Sequence, residues 1–172
     1  MSPMSDPRPA ATLMVMGTSS SAGKSLLVAG LCRCFARRGL RVAPFKAQNM
    51  SNNAAVCPDG AEIGRAQALQ AMAAGRPPSA DMNPILLKPE GDSRSQVIVD
   101  GRVWKSCAAR DYYRQRDRLW PHVVAALDRL RAAHDVVVIE GAGSPAELNL
   151  ADVEIVNFAV AGHVGEIGRA HV

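Results

Sequence analysis

GTSSSAGKS, residues 17–25, stands between a short apolar run and a helix-forming segment. The apolar run 11–16 predicts a buried strand, and residues 26–38 predict the helix that follows. In a strand–loop–helix unit of this kind, backbone N–H groups of the loop and of the first helical turn point at a bound anion. The stretch therefore predicts a phosphate-binding loop for a nucleoside triphosphate and the opening of a parallel α/β sheet.

This loop is one residue longer than the common pattern, since five residues separate Gly17 from Gly23 where four are usual. The chemistry of the pattern is retained. Lys24 can reach the β and γ phosphates, and the Ser25 hydroxyl can ligate Mg²⁺. The candidate nucleotide-binding residues are Gly17, Thr18, Ser19, Ser20, Ser21, Ala22, Gly23, Lys24 and Ser25.

Composition indicates one globular domain that is not built to bind nucleic acid. The chain has 172 residues, of which 48% are hydrophobic and 4% aromatic, and its net charge is +4. Its arginines are spread along amphipathic segments, which gives nucleic-acid binding little support. No apolar run approaches the roughly 20 residues that span a bilayer, and we expect no membrane contact. Residues 1–10 lack the apolar core of a secretory signal, and we expect them to be a disordered lead-in.

The cysteines favour a reducing compartment. Cys32 and Cys34 lie two apart on the predicted helix, so they point to different faces, and no pair has the C-x-x-C spacing of a metal site. Free thiols of this kind are typical of the cytosol. We therefore expect a cytoplasmic protein.

Two further apolar segments extend the predicted sheet. Residues 40–45 predict a second strand after the helix. Residues 135–140 are almost wholly apolar and predict a third, central strand. The pair Asp100-Gly101 lies between β-rich runs and predicts a hairpin over residues 95–104. The predicted fold class is α/β: a mostly parallel sheet flanked by helices, like that of phosphate-loop NTPases, with a small hairpin excursion.

The remaining segments are interpreted as loops and helices. Residues 46–60 are polar and predict a loop, and residues 61–74 predict a helix. Residues 108–133 are rich in helix formers, and Pro121 is expected to kink that helix or to begin a second one. His134 would then cap the helix at its C-terminal end.

Charged residues at the carboxyl ends of the predicted strands are the candidate catalytic groups. Glu140 ends the third strand before Gly141, a position typical of the second metal contact in phosphate-loop enzymes. We therefore predict Ser25 and Glu140 as Mg²⁺ ligands. Lys46 ends the second strand on the same rim and can neutralise charge on a transferred phosphoryl group.

Polar side chains after the second strand are candidate substrate contacts. Residues 48–53 are dense in amides, which suit a polar substrate but equally suit a turn. The role of Glu62 and Arg65 on the predicted helix is equally open. They can contact a substrate, but their spacing also lets them pair with each other. The candidate substrate residues are Gln48, Asn49, Asn53, Glu62 and Arg65.

The last seven residues, 166–172, follow no visible pattern. We interpret them as a translated sequencing adapter, an artefact and not a natural terminus, which would interrupt the reading frame near Gly165. On this interpretation residues 11–165 form an incomplete domain, truncated at its C-terminal end.

Five blocks of sequence, in order, resemble the cobyric acid synthase family. They are residues 17–25, 42–50 (VAPFKAQNM), 62–67 (EIGRAQ), 82–89 (MNPILLKP) and 140–147 (EGAGSPAE). The resemblance covers the chain from about residue 13 to residue 160.

This resemblance implies an ATP-binding amidoligase domain of the dethiobiotin-synthetase and cobyrinic-acid-synthase type. In cobalamin biosynthesis such an enzyme uses ATP and Mg²⁺ to activate carboxylates of a corrinoid a,c-diamide as acyl phosphates. Ammonia from glutamine then converts them into amides, giving cobyric acid. The resemblance gives Lys24, Ser25 and Glu140 roles at the phosphates and the metal, and Lys46 a supporting phosphate role. The five candidate substrate residues become candidate corrinoid contacts.

Members of the family continue with the rest of the synthetase domain and with a glutaminase domain that has a nucleophilic cysteine. None of Cys32, Cys34, Cys57 and Cys107 corresponds to that nucleophile. We expect the glutaminase domain to be absent here, the ammonia to come from that missing domain, and the isolated fragment to supply only the phosphate and Mg²⁺ site and to be inactive.

Other families with similar loops remain alternatives. Dethiobiotin synthetase shares the Gly-Thr loop and an acid–glycine pair like Glu140-Gly141, and cobyrinic acid a,c-diamide synthase is a nearer relative. The blocks 45–49 and 83–89 favour cobyric acid synthase over both. Partition-type ATPases use a similar loop as a switch for dimerisation and for binding to DNA or membrane. They carry a signature lysine five residues before the invariant one, where this chain has Ser19.

Overall fold

The computed structural model describes residues 9–17, 22–91, 93–142, 155–165 and 169–171. Most of the predicted lead-in (1–8), the middle of the phosphate loop (18–21) and part of the terminal heptapeptide (166–168 and 172) lie outside these ranges. A short 3-10 helix lies at Ala80–Met82. The other elements in chain order are β1 (Ala11–Met16), α1 (Lys24–Arg37), β2 (Val42–Phe45), β3 (Gln48–Met50), β4 (Ala54–Val56), β5 (Glu62–Gly64), α2 (Arg65–Ala73), β6 (Ile85–Glu90), β7 (Arg94–Val99), β8 (Arg102–Ala108), α3 (Ala109–Tyr113), α4 (Arg116–Ala133), β9 (Val136–Glu140), α5 (Phe158–Val164) and β10 (Arg169–His171).

A four-stranded parallel sheet carries the phosphate loop. Its strand order is β10-β1-β9-β2, and its neighbouring strands pair in parallel. β9 lies between β1 and β2, and residues 137–139 are fully buried, which confirms the predicted central strand. β2 stands at the end of this order, where Pro44 is tolerated because an edge strand does not need every N–H. β10 pairs with β1 in a stretch for which no element was predicted.

Apolar residues on the two faces of this sheet form separate clusters. Side chains alternate along a strand, so Met14 and Val15 point to opposite faces of β1. Met14 belongs to the cluster that includes Leu127 of α4. Val15 belongs to the cluster that includes Val28 of α1. Helices therefore cover both faces, as the predicted α/β class requires.

The hairpin predicted around Asp100-Gly101 is confirmed and belongs to a second sheet. Asp100 and Gly101 have φ angles of 48° and 77°, the left-handed pair that a tight two-residue hairpin turn demands. The second sheet has the order β3-β6-β7-β8. In it β3 runs parallel to β6, and β6 and β8 run antiparallel to β7. The hairpin is thus part of a larger structure than the small excursion that the sequence predicted.

The predictions of a loop over 46–60 and of a helix over 61–74 are partly wrong. The loop contains β3 and β4, and the helix begins at Arg65, because β5 pairs antiparallel with β4. The Gly64 N–H donates to the Asn83 side chain (3.0 Å) instead of to a helical carbonyl. Tertiary hydrogen bonding therefore overrides the local helix propensity of Glu62 and Ile63.

The long segment 108–133 forms two helices, as one reading of Pro121 predicted, but the break lies elsewhere. α3 ends at Tyr113 and α4 begins at Arg116, so Pro121 lies inside α4. Proline removes one helical hydrogen bond to the carbonyl four residues earlier. That carbonyl belongs to Asp117, which is exposed to solvent.

The last turn of α4 is held by two contacts, one from His134 and one from the chain just before β1. His134 is the C-cap residue of α4, as predicted, and its Nδ1 lies 2.9 Å from the Leu130 carbonyl oxygen. Burial lowers the pKa of His134, so the neutral ring makes this contact. Ala10, placed by prediction in the disordered lead-in, is buried and donates to the Arg131 carbonyl (3.0 Å). Ala10 is therefore part of the packed structure, contrary to the prediction made for it. None of the described helices is long and apolar enough to cross a membrane.

Candidate functional site

Three strand ends meet at one edge of the parallel sheet. β1 ends before Gly17, β2 ends before Lys46, and β9 ends at Glu140. Because the strands are parallel, their carboxyl ends lie together, where α/β sheets bind ligands. A cavity of about 570 Å³ opens there. Its described lining is Gly23, Lys24, Ser25, Leu26, Lys46, Gln48, Asn49, Met50, Glu140 and Ala142.

The Glu140 carboxylate is the centre of this edge. It is 1% exposed, and its Oε1 accepts hydrogen bonds from Ser25 Oγ (2.8 Å) and Lys46 Nζ (2.7 Å). A buried carboxylate stays charged only when a cation pairs with it and hydrogen bonds satisfy its oxygens. Lys46 supplies the cation. The structure thus brings the three predicted residues Ser25, Lys46 and Glu140 into direct contact.

The other carboxylate oxygen is held by two glutamines of α2. Gln70 Nε2 donates to Glu140 Oε2 at 2.6 Å, and Gln67 Nε2 lies 3.5 Å from the same oxygen. Gln67 Oε1 in turn accepts from Asn49 Nδ2 (2.8 Å). Both glutamines are fully buried. The network therefore joins β9, α2 and β3 beneath the cavity.

Lys24 begins α1 and folds back over the start of the loop. A Cβ atom added to Gly17 would lie 3.0 Å from Lys24 Nζ, so the absence of a side chain at Gly17 provides the space that the lysine side chain occupies. Burial lowers the pKa of Lys24, the nearby Lys46 lowers it further, and Glu140 opposes both. A bound anion such as a phosphate would relieve the repulsion between the two lysines.

The predicted substrate residues divide into two groups. Gln48 and Asn49 line the cavity, and Gln48 Oε1 accepts from Tyr112 OH (2.5 Å). Asn53, Glu62 and Arg65 lie outside the described lining. Glu62 does not pair with Arg65 as its spacing allowed; it accepts from Lys88 Nζ at 2.7 Å.

Several buried amides of the site were missed by the sequence analysis. They are Gln70, Asn83 and Asn157. Asn83 Nδ2 donates to the carbonyls of Lys46 (3.1 Å) and Ile85 (2.9 Å), which fixes the chain beside Lys46. Gln67 and Gln70 did carry a signal, because residues three apart share one face of a helix.

The chain directly after Glu140 is also fixed. The Gly141 N–H donates to the Val15 carbonyl (2.9 Å). The Asn157 side chain accepts from the Ala142 N–H (3.1 Å) and donates to the Ala142 carbonyl (2.8 Å). A Cβ atom at Gly141 would lie 2.5 Å from Asn157 Oδ1, so a side chain there would displace this contact.

The donor set at the cavity suits a hard divalent cation. Ser25 Oγ and the Glu140 carboxylate can both provide oxygen ligands for a metal ion, and they are already hydrogen-bonded to each other. In the described part of the chain no three His, Cys, Asp or Glu residues cluster as a metal cage. Mg²⁺ commonly needs no such cage, because it binds through one or two protein oxygens, phosphates and waters. The residues present therefore fit Mg²⁺.

Several known proteins are similar to this chain over most of its length. Residues 13–163 match the family described as "CobQ/CobB/MinD/ParA nucleotide binding domain". The cobyric acid synthase of Chloroflexus aggregans is 58% identical over 171 residues, which cover 95% of this chain and 35% of the relative. That of Desulforudis audaxviator is 62% identical over 156 residues (91% and 32%), and that of Sorangium cellulosum 65% over 152 residues (88% and 29%). The chain thus spans about a third of the length of these curated relatives, and the resemblance found in the sequence blocks is confirmed.

Proposed function

The chain belongs to the family of CobQ/CobB/MinD/ParA nucleotide-binding domains, and we propose that it binds ATP and Mg²⁺ as the carboxylate-activating part of a cobyric acid synthase. In that role it acts in cobalamin biosynthesis on carboxylates of a corrinoid a,c-diamide. The observation that carries the proposal is the contact of Glu140 with both Ser25 and Lys46 beside the buried Lys24. The similarity to cobyric acid synthases supports the substrate class.

Each residue at the edge has a part in the proposed chemistry. The backbone of the phosphate loop and Lys24 would bind the phosphates of ATP. Ser25 and Glu140 would hold Mg²⁺, which neutralises charge on the β and γ phosphates when bound. Lys46 lies at the rim, where its ammonium group would stabilise charge on the transferred phosphoryl group.

The proposed reaction has two steps. A carboxylate oxygen of the corrinoid attacks the γ-phosphorus of ATP, and the bond to the bridging oxygen of ADP breaks, which leaves an acyl phosphate. Ammonia then attacks the acyl carbon, the bond to the phosphate oxygen breaks, and loss of a proton gives the amide. Gln48 and Asn49, which line the cavity, are the best placed of the predicted corrinoid contacts. We propose that a glutaminase domain outside this chain releases the ammonia from glutamine.

The test is an assay with ATP, Mg²⁺, an ammonium salt and a corrinoid a,c-diamide, so that no glutaminase is needed. The proposal expects corrinoid-dependent ADP release from the protein that contains this chain, together with amidated corrinoid in the mass spectrum. If the rate of ATP hydrolysis is the same with and without the corrinoid, and the protein dimerises when it binds nucleotide, the result would instead support a partition-type switch.

A further inference from the structure

Gln67 and Gln70 are unusual residues for the buried face of a helix. Helix faces packed against a core ordinarily carry apolar side chains, and glutamine is mostly exposed. Here both are fully buried, three residues apart on α2. Their shared face meets the carboxylate of Glu140.

The orientation of the Gln70 amide is fixed by its surroundings. Its nitrogen donates to Glu140 Oε2 (2.6 Å) and to the Ser25 carbonyl oxygen (3.3 Å). Neither a carboxylate nor a carbonyl can donate in return, so turning the amide over would set oxygen against oxygen at both contacts. The amide nitrogen therefore belongs on the side of Glu140 and the start of α1.

Holding that orientation leaves an unpaired atom. Gln70 Oε1 is buried and has no hydrogen-bond partner among the described residues. A buried acceptor without a donor costs free energy, and an apolar side chain at this position would avoid the cost. The contact with Glu140 is what the apolar side chain could not supply.

The two oxygens of Glu140 consequently have separate partners. Oε2 is held by the amides of α2, and Oε1 accepts from Ser25 and Lys46 at the cavity. The terminal torsion of a glutamate is broad and roughly two-fold, so a carboxylate without a hold on Oε2 would turn. Fixing one oxygen orients the other.

We propose that Gln70, supported by Gln67, is a positioning residue that holds Glu140 Oε2 so that Oε1 faces Ser25 and the cavity, where Mg²⁺ would bind. This inference rests on the proposed nucleotide function. It assigns Gln70 no contact with nucleotide or corrinoid, and it makes metal affinity the property that Gln70 controls.

The test is calorimetric titration of Mg²⁺ and of a non-hydrolysable ATP analogue into the unchanged protein and into Gln70→Met. Methionine keeps the length of the side chain and removes the amide donor. Loss of a partner behind a metal ligand weakens metal binding roughly 10–100-fold, so we expect the apparent Kd for Mg²⁺ to rise by about that factor. Binding of the analogue without metal should stay unchanged.

A matched control makes the same substitution elsewhere. Gln96 lies on β7 of the second sheet, outside the described lining of the cavity. Gln96→Met should leave both affinities as they are. Circular dichroism melting curves check that each variant folds, and if Gln70→Met does not fold, Gln70→Asn withdraws the same amide by one methylene.

Each remaining outcome decides against the inference. A folded Gln70 variant that binds Mg²⁺ as the unchanged protein does would overturn it, and so would equal weakening of metal-free and metal-dependent nucleotide binding. Failure of both Gln70 variants to fold would assign the residue to the core alone. Absence of Mg²⁺-dependent nucleotide binding in the unchanged protein would remove the proposed function itself, a result distinct from the others.

Discussion

Glu140 can remain charged in the interior because a cation and polar donors surround both of its oxygens. The contacts come from Ser25, Lys46, Gln70 and, at a longer distance, Gln67. A neutral amide in its place would turn one N–H₂ group toward donors that need an acceptor. The site therefore depends on the charge of this residue as well as on its shape.

The substitution Glu140→Gln should raise the Mg²⁺ concentration that nucleotide binding requires by roughly 10-fold or more, since it removes a charged ligand. It should also lower the free energy of unfolding by about 1–3 kcal/mol, because buried donors lose their acceptor. Nucleotide binding is followed at increasing Mg²⁺, and unfolding is followed in urea.

Glu62→Gln is the control for this prediction. Glu62 also accepts from a lysine, Lys88, but outside the described cavity lining. A metal titration of Glu140→Gln that coincides with that of Glu62→Gln would show that Glu140 is not a ligand.

Residue positions at this edge were predictable in part. Ser25, Lys46 and Glu140 stand at loop and strand ends, and parallel strands bring such ends together. Gln70 was not predicted, although its spacing places it on the same helix face as Gln67. A glutamine on a helix is ordinarily solvated, and only its tertiary neighbour shows that this face is buried. Asn83 was missed for the same reason, since its partners are the distant Gly64 and Lys46.

At the scale of elements, the β7–β8 hairpin depends on its turn. Gly101 has a φ of 77°, and an added Cβ atom would lie 2.4 Å from the Cβ of Ala61. The Gly101 carbonyl also accepts from the Glu62 N–H (2.9 Å), which ties the hairpin to β5. A side chain at position 101 would therefore suffer both backbone strain and steric overlap with Ala61.

Gly101→Ala should lower the free energy of unfolding by about 1–3 kcal/mol, measured by urea denaturation. Gly91→Ala is the matched control, because an added Cβ atom at Gly91 meets nothing within 4 Å and its φ is not positive. Equal stability of the two variants would contradict the role given to the turn.

The two faces of α1 differ in the chemistry of their cysteines. Cys32 is fully buried, and burial raises its pKa to about 12, whereas Cys34 is exposed. Cys57, in the loop after β4, is also buried, and burial raises its pKa to about 11. A raised pKa leaves little thiolate at neutral pH, and the thiolate is the form that reacts.

Iodoacetamide at about pH 8 should therefore modify Cys34 first and reach Cys32 and Cys57 only after unfolding. Peptide mass spectrometry at successive times measures this order, and Cys34→Ser should lose the rapid reaction. Alkylation of Cys32 as fast as Cys34 in the folded protein would mean that the apolar face of α1 is not packed as described.

Elements were predictable where local pattern and tertiary pairing agree. β9 is apolar up to its last residue, Glu140, and lies between β1 and β2, and the Asp100-Gly101 turn has a conformation that its residues favour. The start of α2 was misplaced because the pairing of β5 with β4 and the Asn83 contact hold residues 62–64 extended. Local helix propensity does not predict such long-range hydrogen bonds.

At the scale of the whole molecule, two sheets of different kinds meet around one cavity. The carboxyl edge of the parallel sheet supplies Lys46 and Glu140, and the start of α1 supplies Lys24. The second sheet begins with β3, which brings Gln48 and Asn49 to the same cavity. The first set is cationic and acidic and suits phosphate and metal. The second is neutral and polar and suits the polar substrate that we propose receives the phosphoryl group.

We propose that this cavity binds a nucleoside triphosphate together with Mg²⁺. The most direct measurement is calorimetric titration of a non-hydrolysable ATP analogue, with and without Mg²⁺, into the unchanged protein and into Lys24→Ala. We predict Mg²⁺-dependent binding that weakens roughly 10–100-fold in Lys24→Ala, the effect of losing a charged hydrogen bond. No binding to the unchanged protein with Mg²⁺ present, or equal affinity in folded Lys24→Ala, would contradict the claim.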